Sequence, residues 1–105
     1  MKPKYKALKL RLLRLYPMCE MCGIRPGKEL HHCIEKRRKG HKELDCEINL
    51  EVLCHQCHMS GKADTSDHAI EFVNRQIARG HDVLSWYDGL PLITRRFPNL
   101  KGMIE

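Results

Sequence analysis

The sequence predicts a small α+β domain with helices before and after a mixed centre, and three observations carry that prediction. At 105 residues the chain has room for one domain with a modest core. Two Cys-x-x-Cys pairs, Cys19 with Cys22 and Cys54 with Cys57, enclose two short apolar stretches, Leu30 to Ile34 and Ile48 to Leu53. Those stretches read as strands, whereas helical periodicity runs before the first cysteine pair and after the second.

Taken in order, Pro3 suits a first helical turn, and Tyr5, Leu8, Leu12 and Leu15 recur at helical spacing until Pro17 stops the pattern. This predicts an amphipathic helix within 1–17 with a basic outer face. Met18 to Gly23 then forms a knuckle, where Gly23 supplies the backbone angles a tight turn needs. Pro26-Gly27 turns the chain into the first strand. From Glu35 to Asp45 the composition is charged and includes Gly40, which describes a solvent loop. Ile48 to Leu53 alternates apolar and polar residues and forms the second strand. A short helix opens near His55 and is limited by Gly61, completing a ββα unit over 19–63.

The remainder, 64–105, reads as a helical extension that wraps this unit and lends it a core. Ser66 is the expected N-cap of a helix with Ile70, Val73 and Ile77 on one face and Gly80 after its end. Asp82 to Tyr87 adds a short helix carrying Trp86, Asp88-Gly89 turns, and Pro91-Leu92-Ile93 is extended. There is no internal repeat and no linker, so 1–105 reads as a single domain.

Paired thiols at this spacing point to metal. Each Cys-x-x-Cys clasps one side of a tetrahedral ion, so Cys19, Cys22, Cys54 and Cys57 are predicted to hold a structural Zn²⁺. The segment between the pairs is too short to fold on apolar burial, and structural zinc supplies on the order of 10 kcal/mol of apparent folding free energy. Six cysteines would suit disulfides in a secreted chain, but the basic N-terminus never runs into an uninterrupted apolar segment and no stretch spans a bilayer. A reducing cytoplasm and zinc thiolates are the expectation, with no membrane partner. Cys33 and Cys46 fit no pair and read as small buried or half-buried thiols, while His41, His68 and His81 read as surface residues.

The formal charge of +6 is blocky. Lys2, Lys4, Lys6, Lys9, Arg11 and Arg14 arrive with no acid before Glu20, and Lys36-Arg37-Arg38-Lys39 forms a second block. An anionic partner, nucleic acid first, is the expected reading of such blocks. For the N-terminal helix, a packing helix with soluble cations and a DNA-contacting arm stand side by side.

Between and after the cysteine pairs come His31-His32, Asn49 and His58. Together with the four thiols, the ordered set His32, Asn49, His58 resembles the HNH endonucleases, ββα-metal nucleases that carry a zinc-bound knuckle, over roughly Cys19 to Lys62. The resemblance implies a treble-clef-like core that cuts DNA phosphodiester bonds, nicking one strand or cleaving both, and leaves 5′-phosphate ends. It implies His32 as general base, with Asn49 bracing the loop and orienting it, and His31 with His58 holding a catalytic divalent metal (Mg²⁺, Mn²⁺, Ni²⁺ or Zn²⁺). The family context implies a small phage or mobile-element enzyme.

Two departures matter. Some members present a third metal-binding His where this chain has Lys62, which cannot ligate while protonated and is expected to meet phosphate, as are Lys36, Arg37, Arg38 and Lys39. Many relatives place Asp where His31 stands. Neighbouring strand residues also point to opposite faces, so the strand must bend or end there for His31 and His32 to serve one site. His55 remains open as an exposed passenger, a supporting donor or the functional histidine. The rival reading is a catalytically silent treble-clef zinc module that binds nucleic acid or protein, which needs the cysteines but has no use for the histidine and asparagine order. Oligomeric state is not legible.

Overall fold

The computed structural model describes residues 3–36, 41–91, 96–97 and 99–104. Helix α1, Pro3–Leu15, buries Leu12 and packs Tyr5, Leu8, Leu13 and Tyr16 against Leu30, Leu50 and Val52. Leu15, expected on that face, is exposed; Leu13 and Tyr16 take its place. An ion pair between Arg11 and Glu47 ties the helix to the far side of the sheet.

Among the described residues one two-stranded antiparallel sheet forms, β1 (Glu29–His32) against β2 (Leu50–Leu53), with Leu30 opposite Val52, His31 opposite Glu51 and His32 opposite Leu50. Both strands are shorter than their apolar stretches. A 3-10 turn at Glu47–Asn49 takes up the start of the second, and the first gives way after His32 to a loop held by Asn49. The alternation in β2 does not mark a wet face, because all four residues are buried. At Gly27 a Cβ would lie 2.2 Å from Val52 Cγ1, so the turn into β1 needs the missing side chain to pass this close to the sheet.

Helix α2, His55–Met59, follows the second strand, and Gly61, at φ +75°, turns the chain out of it. Helix α3 spans Ser66–Ala78, α4 Val83–Asp88 and α5 Leu100–Ile104. The cap of α3 is Thr65 rather than Ser66, since the Thr65 side chain accepts from the His68 amide at 3.1 Å. Its buried face is His68, Ala69, Phe72, Val73 and Gln76; Ile77 is 42% exposed. The face lies one residue off the purely apolar stripe because His68 and Gln76 are buried through hydrogen bonds, to Glu51 and to the Glu47 carbonyl.

The largest core cluster joins Ala69, Phe72, Val73, Val83, Tyr87, Leu90, Phe97 and Leu100 to Cys33, Ile34 and Leu44. The C-terminal helices therefore build their core on the loop between the strands. That corrects the solvent-loop expectation for 35–45, where Leu44 is fully buried and Glu35 is 4% exposed. The Glu35 carboxylate accepts from the Tyr87 hydroxyl at 2.7 Å and from the Arg96 amide, which is why an acid sits inside. The expected extended segment at Leu92-Ile93 lies outside the described residues, as do Arg37, Arg38, Lys39 and Gly40. No described helix is long and apolar enough to cross a membrane.

Candidate metal centre and histidine cleft

The knuckle at 19–23 and the N-terminus of α2 bring four thiols together, because each Cys-x-x-Cys folds its second amide back onto its first sulfur. Cys22 N donates to Cys19 Sγ at 3.5 Å and Cys57 N to Cys54 Sγ at 3.4 Å. Gly23, at φ +66°, makes the first fold possible. The four Sγ atoms lie within 4.8 Å of one another, and Cys22 and Cys54 are 4.0 Å apart. Zinc–sulfur bonds of about 2.3 Å in a tetrahedron place sulfurs roughly 3.8 Å apart. The cluster fits zinc.

Its electrostatics fit as well. Backbone amides of Arg25 and Ile24 hold the Cys22 thiol down to about 6, and the Cys57 amide lowers Cys54. The Arg25 guanidinium donates to both sulfurs at 3.8 Å. Burial and its sulfur neighbours push Cys57 up to about 12, so a central cation is what allows all four to be thiolates at once. The cysteines are free, with no disulfide among them.

Beside this cluster a cleft of about 330 Å³ is bordered by Tyr5, His31, His32, Lys36, His58 and Asp64. Strand β1 ends at His32, and both neighbouring imidazoles border the cleft. His31 is 7% exposed, and its Nε2 lies 3.1 Å from the Ala63 carbonyl and 3.6 Å from Asp64 Oδ1. Burial lowers its pKa below the ordinary histidine value, against the opposing pull of the Ala63 carbonyl and Asp64. The His31 and His58 rings meet edge to face with centroids 5.4 Å apart. His32 stacks parallel to Tyr5 at 6.3 Å, and its Nε2 lies 2.7 Å from Asp45 Oδ1.

Glu29 sets the histidines of α2. Its two carboxylate oxygens take His55 Nδ1 at 2.8 Å and His58 Nδ1 at 2.7 Å, and these bonds, His55 first, hold its own pKa below the usual carboxylate value. A carboxylate on Nδ1 of His58 fixes the ring and leaves Nε2 as the nitrogen open to a further partner. His55, more exposed and not bordering the cleft, shares Glu29 without joining the other histidines.

Asn49 is fully buried and its side chain is saturated. Oδ1 accepts from the amides of Ile34 at 3.0 Å and Glu35 at 2.8 Å, and Nδ2 donates to the carbonyls of Glu35 and Leu44, both at 2.9 Å. All four side-chain bonds go to the loop backbone, and the Asn49 carbonyl accepts from the Cys33 amide at 2.9 Å, so Asn49 braces both the loop and the end of β1 beside His32. Lys36 borders the cleft; Lys62 is exposed on a 3-10 turn outside it.

A second group, Cys33, Glu51 and His68, also gathers ligand atoms within 4.8 Å, wholly buried. His68, expected at the surface, is 7% exposed because its Nε2 meets the Glu51 carboxylate at 2.7 and 3.0 Å. Nitrogen and oxygen ligands of one tetrahedral zinc lie about 3.3 Å apart, so the 2.7 Å contact is a hydrogen bond and the group is a charge network. Arg75 Nη1 adds bonds to Glu51 at 3.2 Å and to buried Glu20 at 3.3 Å, and Arg79 pairs with Glu20 at 2.7 Å. Burial and the Glu51 charge push the Cys33 thiol far up, leaving it neutral. The sequence carries a signal for this network: His68 and Arg75 on α3 and Arg79 at its C-cap fall at helical spacing, and they meet acids on the knuckle and on β2.

This network gives a pH dependence with a definite sign. The hydrogen bond to Glu51 raises the His68 pKa above its unfolded value, so the stabilisation is complete below about 6.5 and is lost as pH rises through the folded value. Thermal melts of the parent and His68→Gln should converge as pH rises through the folded His68 value. A difference constant with pH would mean that His68 does not gain its proton on folding across this range.

Comparison with family models, curated proteins and solved structures returns no match for this chain.

Proposed function

We propose that this chain is a metal-dependent HNH endonuclease, a ββα-metal domain that hydrolyses DNA phosphodiester bonds to leave 5′-phosphate ends. The observation that carries the reading is one cleft bordered by His31, His32 and His58, built beside a four-cysteine cluster and backed by a loop that Asn49 braces. A zinc module that only binds has no need to converge three imidazoles on a cleft. The net charge of +6, with Lys36 at the cleft, suits an anionic substrate.

In this reading His31 and His58 hold the catalytic divalent ion, whose bound chemistry is Lewis-acid stabilisation of charge on the phosphoryl and leaving 3′ oxygens. His32 takes the proton of the attacking water. Tyr5, parallel to its ring with centroids 6.3 Å apart, borders the same cleft. Lys36 meets the phosphate as a point charge. The four cysteines with structural zinc hold α2, and with it His58, against β1. Thiolate ligation accords with a reducing cytoplasm.

One observation favours the silent module. Among the described residues His31 and His58 belong to no group of three metal-ligating side chains, and the Ala63 carbonyl engages Nε2 of His31. Supercoiled plasmid incubated with zinc-loaded protein and Mg²⁺, Mn²⁺ or Ni²⁺ separates the two. Nicked or linear product with ligatable 5′-phosphate ends, suppressed by EDTA, is the expected result. Folded protein that retards DNA and cuts it with none of these metals would establish the module instead.

A further inference from the structure

Asp45 lies thirteen positions beyond His32 in sequence, yet its Oδ1 sits 2.7 Å from His32 Nε2. We infer that Asp45 is the positioning residue of His32: it accepts the Nε2–H hydrogen bond and so fixes the tautomer in which Nδ1 carries the free lone pair. The inference rests on the nuclease reading for its consequence, and on geometry alone for the hydrogen bond.

An ionised carboxylate only accepts, so the nitrogen at hydrogen-bond distance from it must carry the proton. The pair is well sheltered, with side chains 10% and 24% exposed, and the Tyr5 ring lies parallel to His32 within 1°. Asp45 is itself held from both sides: its amide donates to the Lys42 carbonyl at 2.9 Å, and the preceding carbonyl, of Leu44, accepts from Asn49 Nδ2 at 2.9 Å. Asn49 is therefore linked to His32 through Leu44 and then Asp45, in addition to the bond its own carbonyl accepts from the Cys33 amide beside His32. This assigns a physical route to a positioning role that direct contact does not supply.

The proton balance is simple. Nδ1 takes one proton from water as the water oxygen bonds to phosphorus and the bond to the 3′ oxygen breaks. The ring then carries a positive charge, which the Asp45 carboxylate stabilises without taking the proton. The departing 3′ oxygen takes a proton from solvent water, and release of the Nδ1 proton to solvent resets the site.

The test uses Asp45→Asn in the full zinc-loaded chain, because an amide keeps the shape while presenting a donor to Nε2. Long-range ¹⁵N–¹H spectra of the imidazoles, with His32 assigned by its loss in His32→Gln, should show the parent ring protonated on Nε2, and the variant shifted toward Nδ1–H. Plasmid cleavage should lose about 100-fold or more in kcat with KM little changed. Asp45→Ser, lacking both acceptor charge and amide donor, should also lose kcat. A parent ring bare at Nε2, or Asp45→Asn cutting at the parental kcat, overturns the inference. A parent that cuts no DNA removes the nuclease reading, and the tautomer spectrum still decides whether Asp45 holds the Nε2 proton.

Discussion

Removal of zinc should unfold the centre of this molecule while leaving part of its C-terminal helical core associated. The cysteine cluster sits among few apolar neighbours, with Leu53 and Ala63 the other buried members, and the sheet beside it pairs only four residues per strand. Neither supplies much burial. Structural zinc sites contribute on the order of 10 kcal/mol of apparent folding free energy, more than this segment can replace. One ion per chain should survive mild chelation and gel filtration by elemental analysis. Cys54→Ser, or a strong chelator, should abolish the cooperative melt and expose the amides of β1, β2 and α2 to rapid hydrogen exchange. Protection in α3 should fall less, because Phe72 and Val73 pack on Val83, Tyr87 and Leu100 in a cluster separate from that of Cys19 and Cys54. A zinc-free chain with a parental melt, or a Cys19–Cys22 disulfide in reduced protein, would remove zinc from the account of the fold.

What was legible in the sequence is what periodicity and spacing encode. The Cys-x-x-Cys pairs are local, their chelate geometry is set within a turn, and the structure brings them together from opposite ends of the centre. Helices α1, α3 and α4 were visible for the same reason. What stayed hidden is polar burial. Glu35, in the stretch read as a solvent loop, and His68, read as a surface residue, were missed because hydropathy cannot see a partner tens of positions away, yet both are buried once that partner is supplied. In the cleft, His31, His32 and His58 were visible as a motif, whereas Glu29 and Asp45, which orient His58 and His32, carry no spacing signal. Asn49 was legible as a brace, and its route to His32 was not. A side chain's support is set by tertiary contact, which a single sequence records only as ordinary acids in charged stretches.

His32→Ala should reduce plasmid cleavage by about 100- to 10,000-fold, the range that loss of a positioned general base produces. The variant should keep its zinc, since His32 touches none of the four thiols, and should bind DNA as the parent does, since the cations at the cleft and along α1 are untouched. Its fold should change little. The ring's neighbours are Tyr5 and Asp45, and with the imidazole gone the Asp45 carboxylate, already 24% exposed, meets water rather than an apolar wall. Single-turnover rates at saturating metal isolate the chemical step from metal affinity, which His58→Ala should weaken instead. The two variants therefore separate by metal titration: added Mn²⁺ recovers part of the rate in His58→Ala and none in His32→Ala. A His32→Ala protein that cuts at the parental rate would move the base elsewhere, and His55 is the next histidine to examine. That histidine is 62% exposed, shares Glu29 with His58 and is absent from the lining of the cleft, so a base there would act from the α2 side, across Glu29 from His58.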